Sequence, residues 1–299
     1  MPKIVAGRLR DACFMLHLIP TLESLVFKFF PDEDAWVNPN TWPDNLIYGQ
    51  YYPFQWDVLK GLVCNPNPLP ALQSLQIDSW YAYPKEMYHK APFERIVSSL
   101  RDLRFLVQNP KYTNDDNHFP VEDFWKDVIG PRVLQPAVNL TSLVMESSEE
   151  FGSRFRLDLS PISCPRLTSL LLSNLIWDDT GVNPQLVVSQ AEDFIVRHGK
   201  TLKRLELHNC MICVPPHAST PVLSWAAVWH RFADELTELV ELVVAYSPGR
   251  RYFCFLPEHG FEANPAAFQR GTEQDTLALK AFDAIVKERK RLTSRDGNY

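Results

Sequence analysis

The sequence predicts an α/β fold: a right-handed solenoid of about seven irregular repeats, with a curved parallel sheet backed by helices and loops. Three observations lead there. The pattern leucine-x-x-leucine-x-apolar recurs seven times, as LESLVF from Leu22, LQSLQI from Leu72, LRDLRF from Leu100, LTSLVM from Leu140, LTSLLL from Leu167, LKRLEL from Leu202 and LVELVV from Leu239. A shuffled chain of this composition gives roughly one such match. Each match ends in the alternation of a short strand, and most of the intervals carry helix-start signals, so strand, loop and helix alternate as parallel pairing requires. The residues from Leu202 to Ile212 satisfy the eleven-residue leucine-rich-repeat signature, with Cys210 at the position that takes Asn or Cys.

The elements follow in order. An apolar helix is expected near residues 4–17, running almost directly into the first repeat. Residues 31–56 form an insertion whose Trp36, Trp42, Tyr48, Tyr51, Tyr52 and Phe54 predict a packed loop. Pro92 opens FERIVSSL and Pro120 opens VEDFWKDV, as proline does at a first helical turn. Between Leu140 and Leu167 no helix signal occurs, and FRLDL reads as an extra strand or bulge. Ser189 and Glu192 make a capping box before AEDFIVRH, with Gly199 where a C-terminal cap belongs. Ser224 precedes WAAVWHRFADEL. From Thr272 to about residue 292 an amphipathic helix, with Ala278, Phe282, Ile285 and Val286 inward, caps the last repeat. The repeats start 27 to 50 residues apart, so a single degenerate domain over residues 1–299 is expected rather than a strict array.

Composition narrows the function. The chain is 45% apolar and 22% charged, enough to bury a large core. A net charge of -6 argues against a nucleic-acid surface, which needs clustered Lys and Arg. The one basic run, Lys287 to Arg291, ends a helix, where positive charge complements the dipole. No apolar run has membrane-spanning length, so no membrane partner is expected. Six scattered cysteines without a signal peptide predict free thiols and an intracellular protein, cytoplasmic or nuclear. The sequon at Asn139 falls inside a repeat whose leucine is needed for the core.

Enzyme signatures do not emerge. Cys210 and Cys213 with His208 and His217 suggest zinc or redox chemistry, yet the leucine-rich pattern already explains Cys210, and Pro215 and Pro216 stiffen the path to His217. No glycine-rich phosphate loop, metalloprotease helix or nucleophile elbow is present. Acidic neighbours such as Asp32 and Asp34, Asp115 and Asp116, and Asp178 and Asp179 read as solvated loop carboxylates. No catalytic residue, metal site or cofactor is expected.

Binding is the remaining reading. With the residues at positions one, four and six inward, positions three, five and seven face the concave side. Those columns supply Gln76, Asp78, Arg104, Val144, Glu146, Leu171, Arg204, Glu206 and His208 as the candidate binding surface. Column five mixes apolar with polar residues, which suits an extended peptide from a protein partner; covering by the chain's own aromatic insertion explains it equally well. A free-standing scaffold and an enzyme with a hidden site are the alternatives.

The stretches PISCPRLTSLLLSNLIW and AEDFIVRHGKTLKRLELHNCMI resemble the leucine-rich half of the divergent F-box proteins abundant in fungi. The resemblance runs through Cys164 to Leu167, Asp193 to Ile195 with His198, and Leu202 to Cys210, and it covers residues 160–290. It implies a non-enzymatic receptor whose repeats hold substrates for a ubiquitin ligase. No L-P-x-E-[IL] segment is found, so docking of the ligase adaptor is expected only with an F-box upstream.

Overall fold

The computed structural model describes residues 3–29, 47–63, 69–82, 85–108, 123–152, 157–178, 190–214, 223–246, 251–256, 260–263 and 265–296. It is an α/β structure of open parallel sheet, divided into two compact units, Met1–Leu140 and Thr141–Tyr299. Ser189, Pro120, His217 and residues 31–46 of the insertion lie outside the described residues.

In the first unit, strands β1 (Ser24–Lys28), β2 (Ser74–Tyr81) and β3 (Asp102–Gln108) pair in parallel, with Ser24 beside Ser74 and Ser74 beside Asp102. The leucine pattern sets this register. Leu72, Leu75 and Ile77, and likewise Leu100, Leu103 and Phe105, are buried, whereas the residues between them are not. Helices α1 (Lys3–Phe14), α2 (Ile47–Val63) and α3 (Ala91–Ser99) complete the unit with an eleven-residue π-helix, Phe124–Leu134. The expected packed loop is thus, in its second part, helix α2: Val58, Leu59, Leu62 and Val63 bury one face, and the ring-rich start had masked that period. Pro131 lies inside the π-helix, where the wider i to i+5 winding shows in the bond from Gln135 N–H to Gly130 O, 3.0 Å. Gly61 lets α2 meet α1, since a Cβ there would strike the Arg10 carbonyl. The core is a ring cluster: Trp80 lies 5.7 Å from Tyr88, 5.9 Å from Phe105 and 5.3 Å from Phe124, and its indole N–H donates to the Tyr88 hydroxyl at 3.0 Å.

In the second unit, β4 (Ser142–Gly152), β5 (Ser169–Asp178), β6 (Arg204–His208) and β8 (Glu241–Ala245) run in parallel and in register. On the edge away from β4, strand β5 serves two neighbours: Ser169–Ser173 pairs with β6, and Ile176–Asp178 pairs with β7 (Met211–Cys213). Strand β7 continues to β9 (Tyr252–Leu256), and β9 pairs antiparallel with β10 (Gly260–Ala263). FRLDL contributes no strand over its described residues 157–159; β4 itself is longer instead and shifts register between Glu146 and Phe151.

Left-handed residues mark breaks in the strand pairing: a register shift against β3 at Ser79, and the passage from β6 to β7 as neighbour of β5 at Asn174. Ser79 (φ 57°), Asn174 (φ 62°) and Asn209 (φ 49°) each occupy position eight of their repeat. Asn tolerates this region better than most residues because its short amide bonds locally. Asn174 Nδ2 donates to Ser147 O at 2.6 Å, and Asn209 N–H donates to Ala245 O at 2.7 Å. Each turn sends position nine inward, so Trp80, Leu175 and Cys210 are buried. At Ser79 the buried Gln55 side chain mends the gap: Nε2 donates to Ser79 O at 2.7 Å and Oε1 accepts from Tyr81 N–H at 3.1 Å.

A second repeating device starts the strands. The carbonyl at position two of one repeat accepts the amides at positions two and three of the next. Glu23 O takes Gln73 and Ser74 in this way, and Gln73 O takes Arg101 and Asp102. Thr141, Thr168 and Lys203 form the same relay in the second unit, ending on Val240 and Glu241.

Helices α4 (Gln190–Arg197), α5 (Trp225–Glu235) and α6 (Pro265–Asp296) belong to the second unit. Gly199 follows α4, but its role is not the expected left-handed cap: its φ is outside that region, and a Cβ would collide with the Glu235 carbonyl. Ser224 caps α5 as predicted, its Oγ accepting from Ala227 N–H at 3.2 Å. Helix α6 starts earlier and ends later than the sequence suggested, with Ala278, Phe282 and Val286 buried and Ile285 exposed. It brackets α5. The buried Asp275 accepts from Ala226 N–H at 2.8 Å and from the Tyr252 hydroxyl at 2.8 Å, while that hydroxyl accepts Trp225 N–H at 2.9 Å. At the other end, Arg289 donates to Leu236 O at 2.6 Å and Ala233 O at 2.9 Å. Negative charge thus meets the N-terminus of α5, and positive charge its C-terminus.

Candidate functional site

Strand pairing in the second unit assembles a grid on the face opposite the buried leucines. Its first row is Ser142, Ser169, Arg204 and Glu241; its second is Val144, Leu171, Glu206 and Val243; its third is Glu146, Ser173, His208 and Ala245. All but Arg204 and Ala245, which are exposed, are half-buried. Six sequence-predicted site residues, Val144, Glu146, Leu171, Arg204, Glu206 and His208, therefore share one face. Parallel pairing in register is the cause: it stacks equal repeat positions side by side.

Arg204 organises the polar part. Its guanidinium reaches Glu206 Oε1 at 2.7 Å and Glu241 Oε1 at 3.2 Å, and the other Glu206 oxygen lies 3.4 Å from His208 Nε2. The hydrogen bond to Glu206, with the charges of Glu206 and Glu241 behind it, raises the pKa of the Arg204 guanidinium. Glu206 is the anchor, with its side chain only 15% exposed against 46% for Arg204. Beside this network Val144 and Leu171 form an apolar strip. Glu241 is the member the candidate list omitted, although its column position is readable from LVELVV.

The remaining predicted residues belong to the first unit. Gln76 Nε2 donates to both carboxylate oxygens of Asp78, at 2.9 Å each. Arg104 lies opposite Gln76 on the neighbouring strand and is exposed.

Cys210 is wholly buried, and its thiol donates to Leu172 O at 3.5 Å. Burial pushes it up to about 12, which suppresses the thiolate that metal binding and disulfide exchange require. The His208 side chain is held beside Glu206 on the open face, and the Cys210 sulfur meets His208 at its backbone carbonyl, 3.7 Å away. Among the described residues no group of three or more His, Cys, Asp and Glu side chains is placed to hold a metal ion. A surface pocket of about 320 Å³ in the first unit is lined by Glu94, Pro131, Arg132, Gln135 and Pro136, without a nucleophile or a His. None of the described helices is long and apolar enough to cross a membrane.

Three of the residues behind the F-box resemblance, Cys164, Phe194 and His198, meet in one interaction. His198 is buried at the end of α4; its Nδ1 donates to Phe194 O at 2.6 Å, and its Nε2 accepts Cys164 N–H at 3.0 Å. The ring thereby ties a helix to the loop that enters β5. Comparison with known proteins returned no matching family model, curated protein or solved structure.

Proposed function

We propose that this chain is a non-enzymatic protein-binding module of leucine-rich-repeat solenoid type, using the open face of its second unit to hold an extended segment of a partner protein. The observation that carries the reading is the grid itself. An apolar strip, Val144 and Leu171, lies beside a pre-formed charged network of Arg204, Glu206, Glu241 and His208. Apolar pockets supply contact area, and a network already locked by its own ion pairs loses little side-chain entropy on binding. The repeated carbonyl relay and the buried leucine ladder support the solenoid reading, since both recur from one repeat to the next.

The Cys164, His198 and Cys210 pattern supports a kinship with substrate receptors of ubiquitin ligases. On that reading the bound protein is a ligase substrate, and adaptor binding requires an F-box. The test is affinity purification with mass spectrometry, comparing the wild-type chain with a Val144→Ser, Leu171→Ser, Arg204→Ser variant. Specific partners should be lost from the variant while its thermal midpoint holds. Capture unaffected by the three changes would move the interface off this face.

A further inference from the structure

The basic run at the end of α6 does more than complement a dipole. Lys287 pairs with Asp283 at 2.6 Å and Arg291 with Glu288 at 2.5 Å, both along the helix. Arg289 instead leaves its helix to cap the last carbonyls of α5. Thr293 sits one turn beyond Arg289, exposed, its hydroxyl donating to the Arg289 carbonyl at 3.0 Å. Basic residues therefore stand two, three and four positions before an accessible hydroxyl, as Arg291, Lys290 and Arg289.

We propose that Thr293 is a phosphorylation site for a protein kinase with an acidic substrate cleft, and that the phosphate draws Arg289 away from the end of α5. In the transfer, Thr293 Oγ1 bonds to the γ-phosphorus of a nucleoside triphosphate, the bond to the β–γ bridging oxygen breaks, and the diphosphate leaves. The hydroxyl proton passes to the kinase's base. Access is physical: helix α6 ends at Asp296, so Thr293 lies in a last turn that frays easily.

The consequence follows from helix geometry. Side chains lean toward the helix N-terminus, so a phosphate on Thr293 lies over the turn that carries Arg289. A dianion accepts from a guanidinium far more strongly than two neutral carbonyls do. Ser294 is also exposed, and its hydroxyl donates to the Lys290 carbonyl at 2.9 Å, whereas the Thr293 hydroxyl is bonded to Arg289, the residue that caps α5. This inference is independent of the binding reading.

The experiment treats the full chain with ATP and a purified kinase that requires basic residues two and three positions before its acceptor, maps the phosphate by tandem mass spectrometry, and follows amide hydrogen exchange. Phosphate is expected on Thr293 and lost in Thr293→Val. Exchange in residues 233–240 should then rise several-fold, and unphosphorylated Arg289→Gln should show the same rise. Phosphate confined to Ser294, or absent, overturns the site. Phosphate on Thr293 with unchanged exchange overturns its coupling to α5.

Discussion

The backbone amide of Cys164 donates to Nε2 of His198 at 3.0 Å, so the histidine must be neutral, with its proton on the Nδ1 that faces Phe194 O. Burial, more than any charge, lowers the pKa of His198 below its ordinary 6.5. The folded state thus binds this proton less readily than the unfolded chain, and the stabilisation is complete above about pH 6.5 and lost as pH falls below it. Thermal midpoints from pH 7.5 to 5 should fall more steeply for wild type than for His198→Gln. Parallel curves would show that the ring is not coupled to folding.

The ladder gives a second expectation. Leu170 and Leu205 are fully buried, and truncating either to Ala should cost roughly 2 to 5 kcal/mol through lost burial and a residual cavity. Glu206→Ala, on the open face, should cost about 1 kcal/mol or less, because its ion pair with a half-exposed arginine is screened. Urea denaturation distinguishes them, and equal losses at Leu205 and Glu206 would contradict the register.

At Asn209 the backbone is left-handed, with φ 49°. Asn209→Gly should leave stability nearly unchanged, whereas Asn209→Val should cost on the order of 1 to 3 kcal/mol, since a β-branched side chain is strained there. Chemical denaturation midpoints check the pair. A valine as stable as glycine would remove the strain account.

The thiols of Cys13, Cys164, Cys210 and Cys213 are buried and not joined in disulfides. Burial pushes Cys164 up to about 11 and Cys210 to about 12, so alkylation at pH 8 should leave both peptides unmodified until denaturant is added. Rapid native labelling of Cys210 would reopen the question of its chemistry. Cys213 packs with Ile176 and Met211, so Cys213→Ala should keep these apolar contacts with a small loss of burial.

The leucine ladder and the open-face columns were legible because both depend only on spacing. Once strands pair in parallel, positions three, five and seven must align, and Arg204 necessarily meets Glu206 and Glu241. Interactions between residues far apart in sequence were not legible. Gln55 mends a bulge 24 positions away, and His198 holds an amide 34 positions away. Helix α2 hid behind aromatic residues that suit a loop equally well, and Pro131 hid both the π winding and the full extent of the helix expected at VEDFWKDV, because proline ordinarily ends α-type winding. Gly199 carries the signature of a cap, yet it answers to a carbonyl on another helix.

The carbonyl relay bears on how such a chain can change over evolutionary time. Five strands, β2, β3, β5, β6 and β8, are anchored at their first residues by the repeat before them, through Glu23 and Gln73 in one unit and Thr141, Thr168 and Lys203 in the other. Register is therefore inherited locally, and the chain between two anchors is free to gain or lose residues without shifting any later strand. Insertions and deletions accumulate in those intervals at little thermodynamic penalty, because loop closure grows only slowly with length. An architecture anchored this way does not require a fixed period, and its repeats start 27 to 50 residues apart.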